Sequence, residues 1–343
     1  MGADRHIRFS LIFMLLALII FSGCRATIGG RAFTYEEPLV DSDITVARYV
    51  PSKACNGTTL LADNHRRERP SIIEIDMQGR VIWEYAIPPN LGEYTNPGFD
   101  VELLPNNNVL FVLPGHGIFE INRKGRLIWS HLDPKVSHDA DRLPNGNTLY
   151  VYGNDDQKTD AQVKEVDPKG KLVWSWYAKG EFDSPPYQEV YDQGWTHTNA
   201  VTRMANGNTL ISPRNFNCLV EVDPQGQVTR IIGEEYLHRQ HDPEVLPNGN
   251  ILVANHARPH EILEIDPMSE EIVWRFAILQ RGMWPVRDAD RLPNGNILIT
   301  GSTHLVEITP QKELVWLLKL NVSFRSPREA PALGFYKAER ITR

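Results

Sequence analysis

Cysteine is scarce in this chain of 343 residues, which contains only Cys24, Cys55 and Cys218. Their spacing fits neither a zinc site nor a disulfide framework, and we expect no bridge between Cys55 and Cys218. An excess of positive charge is also missing, because the formal net charge is −7 and the isoelectric point is about 5.9. A general nucleic-acid binder needs a basic stripe, so we expect no nucleic-acid partner.

A long apolar stretch is lacking near the N-terminus. The run from Phe9 to Phe21 has 13 residues, fewer than the roughly 20 that a membrane-spanning helix needs. Arg5 and Arg8 precede this run, and Ser22-Gly23-Cys24 follow it, an order typical of a secretory signal segment. Small residues before a cysteine resemble a bacterial lipoprotein cleavage site, with Cys24 as the lipidated residue. An uncleaved membrane anchor and a simple secreted protein are the alternatives. All three place the protein outside the cytoplasm, and the first two hold it at a membrane of the cell envelope, on the periplasmic or extracytoplasmic side.

Six repeats fill most of the chain. Each contains a turn of the form Leu-Pro-Asn-Gly-Asn, or a variant of it, then an acidic phrase and a closing aromatic residue. The first Asn of the turns is Asn56, Asn106, Asn145, Asn206, Asn248 and Asn294. The acidic phrases begin at Glu74, Glu120, Glu165, Glu221, Glu264 and Glu307. The closing residues are Trp83, Trp129, Trp174, Trp274 and Trp316, with Arg230 in the fourth repeat.

The repeat predicts an all-β fold. Asn-Gly suits the two positive-φ positions of a type I′ hairpin, so each turn joins two short strands. Four short strands per repeat predict a six-bladed β-propeller of four-stranded blades, with the tryptophans packed between blades. We assign 1–24 to the signal or anchor segment, 25–45 to a tether, 46–318 to the propeller, and 319–343 to a C-terminal closing segment or tail.

Three links between blades are longer than the rest: 86–98, 177–196 and 232–240. In a propeller such links cross one face, and long loops in compact domains are often functional. The 177–196 link is rich in Tyr, Trp and Pro, and we predict that it forms a lid.

At two positions of the repeat, the residue type changes from one repeat to the next. Seven residues before the first Asn of each turn stand Tyr49, Phe99, His138, Asn199, His241 and Arg287. Eight residues after it stand Asn64, Pro114, Gly153, Arg214, His256 and Ser302. These positions pair in a two-residue hairpin, which puts Asn199 beside Arg214 and His241 beside His256. If the first strand of each blade lines the channel, all of them ring one mouth of it. His197 lies two residues before Asn199 and faces the same way.

The residues of this ring suit an oxyanion. Arginine offers a planar fork, asparagine an amide N–H and histidine a ring N–H, which together match a sulfate or phosphate ester. A neutral histidine can also attack such an ester as a nucleophile. A metal site is a weaker interpretation, because the ring has no carboxylate or thiolate and Arg214 repels a cation. We therefore expect no cofactor. Asp100, Asp139, Asp242 and Asp288 recur one residue after the ring, and we interpret them as structural.

The phrases Trp195-x-His197-x-Asn199, Ser212-x-Arg214 and Gln240-His241 resemble the bacterial arylsulfotransferase family of six-bladed propellers. The resemblance implies transfer of a sulfuryl group from a small-molecule aryl sulfate donor to a phenolic acceptor, through a sulfohistidine. It implies that His241 is the nucleophile. Arg214, His197 and Asn199 would hold the sulfuryl oxygens, while His138 would complete the pocket or assist proton transfer. The register of the repeat adds His256 and Arg287 as substrate contacts, and Tyr49, Phe99, Trp195 and Trp284 could supply aromatic walls.

The chain departs from the family's phrases at two points. Pro213-Arg214-Asn215-Phe216 stands where Ser-Arg-His-Gln is typical, and Ala254-Asn255-His256-Ala257 where Phe-Asp-Asn-Gly is typical. Two other functions stay open on the sequence alone. One is a non-catalytic envelope lipoprotein whose propeller binds another protein, since fold does not imply function. The other is a different ester hydrolase, or a quinone- or metal-dependent propeller enzyme.

Overall fold

The computed structural model describes residues 30–66, 69–88, 98–278, 283, 285–321 and 334–342. Six antiparallel sheets form the blades of a propeller, which confirms the predicted all-β class and blade number. From the channel outward, the first blade contains β26 (Phe335–Ile341), β3 (Thr58–Asp63), β4 (Ser71–Ile75), β5 (Val81–Ala86) and β1 (Ala32–Leu39). The second contains β6 (Val101–Leu103), β7 (Val109–Leu113), β8 (Gly117–Ile121) and β9 (Leu127–His131).

The remaining blades follow the same outward order along the chain. The third contains β10 (Ala140–Arg142), β11 (Thr148–Val151), β12 (Val163–Val166) and β13 (Leu172–Trp176). The fourth contains β14 (Thr198–Arg203), β15 (Thr209–Pro213), β16 (Leu219–Val222) and β17 (Val228–Ile232). The fifth contains β18 (Gln240–Val245), β19 (Ile251–Asn255), β20 (Glu261–Asp266) and β21 (Glu271–Ala277). The sixth contains β22 (Val286–Arg291), β23 (Ile297–Gly301), β24 (His304–Ile308), β25 (Leu314–Leu320) and β2 (Ile44–Tyr49).

The two ends of the chain close the ring, and here the structure differs from the prediction. The innermost strand of the first blade is β26, which runs antiparallel to β3 from Phe335 opposite Asp63 to Ile341 opposite Thr58. The segment 25–45, predicted as a tether, contributes β1 and the start of β2 to the outer edges of the first and sixth blades. Counting back from a turn assumes that the preceding strand is the neighbouring one. Closure of a ring breaks that assumption, because its last strand comes from the far end of the chain.

The turn between the two inner strands is also different from the predicted type I′ hairpin. In the third blade, the Leu143 N–H donates to Asn147 O, and the Gly146 N–H donates to Leu143 O, both at 2.8 Å. Gly146 has a φ of 86° while Asn145 is absent from the positive-φ residues. This is a three-residue loop made of a type I turn and a left-handed glycine. Each residue of the inner strand is therefore paired one position away from the predicted partner. Arg203, for example, lies opposite Thr209 and not opposite Leu210.

The closing tryptophans join neighbouring blades, as predicted. The Trp83 indole N–H donates to the carbonyl of Arg123 in the next blade at 2.8 Å. The same bond runs from Trp129 to Pro168, from Trp174 to Pro224, from Trp274 to Pro310 and from Trp316 to Met77. Arg230, which replaces the tryptophan of the fourth repeat, donates to Pro267 O at 3.0 Å. The apolar core lies between the blades, where residues such as Leu60 and Phe111 are fully buried.

Candidate active site

The ring position coincides with an irregularity in strand pairing in four blades. In the fourth blade, Thr198 lies opposite Pro213 and Ala200 opposite Ser212, which leaves Asn199 in a bulge. Equivalent shifts fall at Arg287 in the sixth blade, just after His241 in the fifth, and at Tyr336 in the first. A bulge redirects a side chain out of the regular pleat. The strict pairs predicted from the sequence are therefore wrong, since His241 lies opposite Ala254, but the ring side chains still meet.

His138 and His197 form the first pair of the site. Their Nε2 atoms are 3.3 Å apart, and their rings meet edge to face with centroids 4.8 Å apart. His197 Nδ1 lies 2.9 Å from the carbonyl oxygen of Gln193, so Nδ1 must carry the proton. His197 Nε2 then accepts from His138 Nε2–H, and His138 Nδ1 accepts from the Ser137 hydroxyl at 2.8 Å. The hydrogen bonds thus fix both tautomers in the neutral state.

His241 and His256 form the second pair. Their rings are stacked, with centroids 4.5 Å apart and planes inclined by 18°. His241 Nδ1 lies 2.9 Å from Arg239 O, and His256 Nδ1 lies 3.1 Å from Val286 O. A carbonyl oxygen can only accept, so Nδ1 is the donor in both rings. Nε2 of His241 therefore carries the lone pair.

Arg214 stands among the four histidines. It follows β15 in a short 3-10 turn, and its residue surface is 8% exposed. Its positive charge contributes to the lowered pKa of each of the four rings. Burial, with Arg239 nearby, lowers the pKa of Arg214 itself to about 10, so it stays charged at neutral pH. Arg214 is therefore a buried guanidinium that keeps its charge beside the histidines.

Burial is the main reason that the histidines are neutral. It lowers the pKa of His197 and of His256 to about 3, with Arg214 adding to the effect on His197 and Arg287 to that on His256. Burial also holds the pKa of His138 and His241 well below the ordinary value, with the partner ring of each pair as the next cause. Neutral imidazoles beside a guanidinium are the arrangement that a nucleophile for an anionic ester requires.

Arg287 and Tyr336 complete the ring. The Arg287 guanidinium lies over the Tyr336 ring at 5.1 Å, and its Nη1 donates to Phe335 O at 2.9 Å. Tyr336 also meets His138 edge to face at 6.0 Å between centroids. The sequence analysis missed Tyr336, which fills the place predicted for Tyr49. One signal was available: Lys337 and Glu339 follow it with the same spacing as the charged pairs Asp139/Asp141 and Asp242/Glu244 on other inner strands.

Three predicted aromatic walls lie elsewhere. Tyr49 is on the outer edge of the sixth blade, opposite Trp316. Phe99 is fully buried and packs against Phe111, with centroids 6.4 Å apart. Trp195 is 2% exposed and packs against Phe216 at 5.4 Å. Phe99 and Trp195 follow the rule that large apolar rings fill the core, whereas Tyr49 is half-buried at a sheet edge. Trp284, also predicted as an aromatic wall, and Cys24, predicted as the lipidated residue, lie outside the described residues.

Asn199 is buried at the junction of the fourth and fifth blades. Its Nδ2 donates to Gln240 O at 2.8 Å, next to His241. Its Oδ1 has no hydrogen-bond partner among the described residues. The structure therefore keeps Asn199 near His241, with one amide N–H already bonded and its carbonyl oxygen available as an acceptor.

An acidic belt lies immediately beside this ring, around the central channel. The belt comprises Asp100, Glu102, Asp139, Asp141, Asp242, Glu244, Asp288, Asp290 and Glu339, with Lys337 as its cation. Most of these residues line a cavity of about 220 Å³. Asp139 accepts from the Val201 N–H of the next blade at 2.6 Å, and Glu339 accepts from the Leu103 N–H at 2.7 Å. These contacts support the structural interpretation of the recurring aspartates.

Two searches of the described ranges gave negative results. No group of three or more His, Cys, Asp or Glu side chains there is arranged to hold a metal ion. No helix within those ranges is long and apolar enough to cross a membrane. Cys55 and Cys218 are both free and buried.

The fold is a six-bladed propeller whose inner strands and the loops beside them bring buried histidine and arginine side chains together. The model of the arylsulfotransferase (ASST) family matches residues 43–246, which is more than half of the sequence. The chain belongs to the arylsulfotransferase family. Membership supports a sulfotransferase activity in general terms and implies small-molecule aryl sulfate and phenol substrates.

Other comparisons concern the fold alone. None of the curated proteins compared with the chain matches it. A protein of unknown function from Bacteroides caccae is 20% identical with a TM-score of 0.60, and the match covers 79% of this chain and 96% of that one. Streptogramin B lyase is 13% identical with a TM-score of 0.54, covering 86% and 88%. Virginiamycin B lyase from Staphylococcus aureus is 13% identical with a TM-score of 0.52, covering 85% and 90%.

Proposed function

We propose that the chain moves a sulfuryl group from an aryl sulfate to a phenol, with His241 as the nucleophile. The observation that carries the proposal is the lone pair on His241 Nε2, which the bond from Nδ1–H to Arg239 O fixes in place. The four lowered histidine pKa values keep the rings uncharged, and Arg214 supplies the positive charge for an anionic ester.

In the first half of the reaction, His241 Nε2 attacks the sulfur atom. A nitrogen–sulfur bond forms as the bond from sulfur to the aryl oxygen breaks, and a phenolate leaves. Negative charge then lies on the sulfuryl oxygens and the departing oxygen. Arg214 stabilises this charge, and such preorganised donors typically contribute about 100- to 1,000-fold in rate.

In the second half, the oxygen of an acceptor phenol attacks the same sulfur atom. The nitrogen–sulfur bond breaks, its electron pair returns to His241 Nε2, and a new aryl sulfate leaves. The phenol must lose its proton during this step. A neutral imidazole can accept a proton, and we assign that role to the His138–His197 pair, whose Nε2 atoms are 3.3 Å apart: His197 Nε2 takes the proton as its hydrogen bond from His138 Nε2–H opens.

The test uses the full chain with an aryl sulfate donor, with and without a phenolic acceptor. We expect release of the donor phenol to depend on the acceptor and to vanish in His241→Ala. His116→Ala is the matched control, because His116 is exposed in the second blade, and it should keep wild-type turnover. A folded wild-type protein without turnover across a broad donor panel would contradict the proposal and favour the non-catalytic scaffold. Donor loss without transfer would favour a sulfatase.

We also propose that the protein acts at the cell envelope, held by lipid on Cys24. The support is the sequence Ser22-Gly23-Cys24 after a basic and then apolar segment. Several acyl chains on one cysteine would anchor the protein firmly, whereas one would not. Mass spectrometry of the mature N-terminus should find lipid on Cys24. An intact Met1 would refute the lipid anchor.

A further inference from the structure

The end of the 177–196 link lies against Arg214. Asp192 Oδ2 is 3.5 Å from Arg214 Nη2 and 2.5 Å from Arg239 Nη2. The backbone carbonyl of Asp192 also accepts from Arg214 Nη2 at 3.1 Å. Arg239 belongs to the 232–240 link, so the Asp192 carboxylate joins two long links above the site and supplies counter-charge to both arginines.

Asn215 fastens the same link from the other side. Its Nδ2 lies 3.1 Å from Asp192 O, 2.8 Å from Gly194 O and 3.3 Å from Trp195 O. Its Oδ1 accepts from Arg214 Nε at 3.3 Å and from Nη2 at 3.2 Å. One side chain thus connects three carbonyls of the link to the guanidinium.

These bonds occupy one edge of the guanidinium and leave the other. Nε and Nη2 of Arg214 face Asn215 and Asp192, while Nη1 makes no hydrogen bond to the described residues. Arg214 lies beside His197, because the Asn215 N–H donates to Thr196 O at 2.9 Å and Thr198 lies opposite Pro213. Nη1 is therefore the donor that is available to an anion in the site.

The same segment also positions His197. The carbonyl oxygen of Gln193 holds the His197 ring through Nδ1 at 2.9 Å. Gly194, at a φ of 129°, passes so close to Asp156 that a Cβ would lie 2.4 Å from Asp156 Oδ1. Asp156 in turn accepts the His197 backbone N–H at 3.0 Å. Contacts with Asp156 therefore fix the path of this segment, in addition to the contacts with Arg214.

We propose that Asn215 and Asp192 form a latch, which fastens the end of the 177–196 link over the site and turns Nη1 of Arg214 toward the sulfuryl group of the bound ester. This inference rests on the proposed function for the identity of the anion. Asn215 and Asp192 are positioning residues: they act through Arg214 and His197 and do not touch the reacting atoms. An asparagine suits the position after Arg214, because its Oδ1 accepts from the guanidinium while its Nδ2 donates to carbonyls of the link.

The first test measures binding of an aryl sulfonate, an anion of similar shape that cannot be transferred, by calorimetry. The variants are Asn215→Ala, Arg214→Ala and the double variant. We expect Asn215→Ala to weaken binding about tenfold, roughly the loss of one charge-assisted hydrogen bond. In the Arg214→Ala background, Asn215→Ala should have no further effect, because its only route to the ligand is gone. Gln188→Ala, which removes an amide elsewhere in the link, is the control.

An equal loss of affinity in both backgrounds would overturn the orienting role, and so would failure of the wild type to bind the sulfonate. A second test needs no ligand. The backbone amides of 187–196 should exchange with deuterium faster in Asn215→Ala than in the wild type or Gln188→Ala, and unchanged exchange would refute the latch. A wild type that binds the sulfonate but turns over no aryl sulfate would refute the proposed function and leave the latch standing.

Discussion

The basic ring and the acidic belt occupy successive residues of the same inner strands. His138 precedes Asp139, His241 precedes Asp242, and Arg287 precedes Asp288. The belt recurs in most blades and bonds one blade to the next, whereas the ring changes from blade to blade. Bulges at or beside several ring positions turn those side chains out of the regular pleat. The ring position is therefore free to vary, while the belt position holds the blades together.

Burial acts on both regions with opposite consequences. It disfavours charge, so it lowers the pKa of the four histidines and raises the pKa of the carboxyls. It raises the pKa of Asp141 to about 6, of Asp100 to about 7 and of Asp290 to about 8, each with neighbouring carboxylates adding to the shift. One physical cause, burial, therefore favours the neutral form of the four histidines and of these three carboxyls.

The largest effect is expected at the centre of the ring. Arg214→Ala should lower kcat/KM about 100- to 1,000-fold, because it removes the charge that stabilises the sulfuryl oxygens. Arg203→Ala is the comparison in the framework, since Arg203 pairs with Glu165 at 2.8 Å and lies over Trp174 at 5.2 Å. It should lower the unfolding temperature and leave kcat/KM of the folded enzyme unchanged. Steady-state kinetics and thermal unfolding separate the two, and similar kinetic losses would remove the distinction between ring and framework.

The next largest effect concerns how kcat/KM falls at acid pH. The histidine pKa values are lowered, so the rings stay neutral as the pH falls past the ordinary pKa of about 6.5. We expect kcat/KM to be nearly constant from pH 7.5 to about 5.5. Arg214→Gln removes one cause of the lowering and should move the fall toward higher pH. A wild-type fall centred near pH 6.5 would contradict the buried, neutral state of the ring.

A smaller effect is expected from the tyrosine that closes the ring. Tyr336→Ala should lower kcat/KM about tenfold, because it removes the contacts with His138 and Arg287. Tyr49→Ala, at the outer edge of the sixth blade, should leave kcat/KM unchanged. Parallel kinetics on both variants test whether β26 or the segment before Asn56 supplies the ring residue. A loss of kcat/KM in Tyr49→Ala but not in Tyr336→Ala would support Tyr49 as the ring residue, as predicted from its distance to the turn.

The smallest effect falls on the belt. Asp100, Asp141 and Asp290 of the belt have raised pKa values, so their contribution to stability is complete below the unfolded pKa of about 4 and is lost as the pH rises through about 6 to 8. The histidines act in the other direction and lose their contribution as the pH falls below about 6.5. Thermal unfolding should therefore occur at least about 2 °C higher at pH 6 than at pH 8. Asp290→Asn should reduce that difference, and a difference of opposite sign would contradict the raised pKa values.

The sequence predicted the parts of this molecule that repeat. Blade number, the tryptophans between blades and the structural role of the recurring aspartates all follow from phrases that return six times. Ring residues such as His138 and His241 were found because they break that repetition. The prediction that these side chains lie close together required only that they occupy the same end of the inner strands. It therefore holds although the predicted register is wrong by one residue.

What the sequence could not predict depends on contacts between distant segments. Tyr336 enters the ring only because the last strand pairs with the first blade. The bulges at Asn199 and Arg287 arise from pairing that no local pattern encodes. Asn215 was visible only as a departure from the resemblance, and its bonds to the link carbonyls require the folded chain.

The central claim is that His241 carries the sulfuryl group between donor and acceptor. It is tested most directly by mixing the enzyme with an aryl sulfate in the absence of acceptor, quenching under alkaline conditions and determining peptide masses. We predict one added sulfuryl group on the peptide that contains His241, and its disappearance once a phenol is supplied. An unmodified His241, or a sulfuryl group on another residue that passes to phenol at the rate of turnover, would contradict the account.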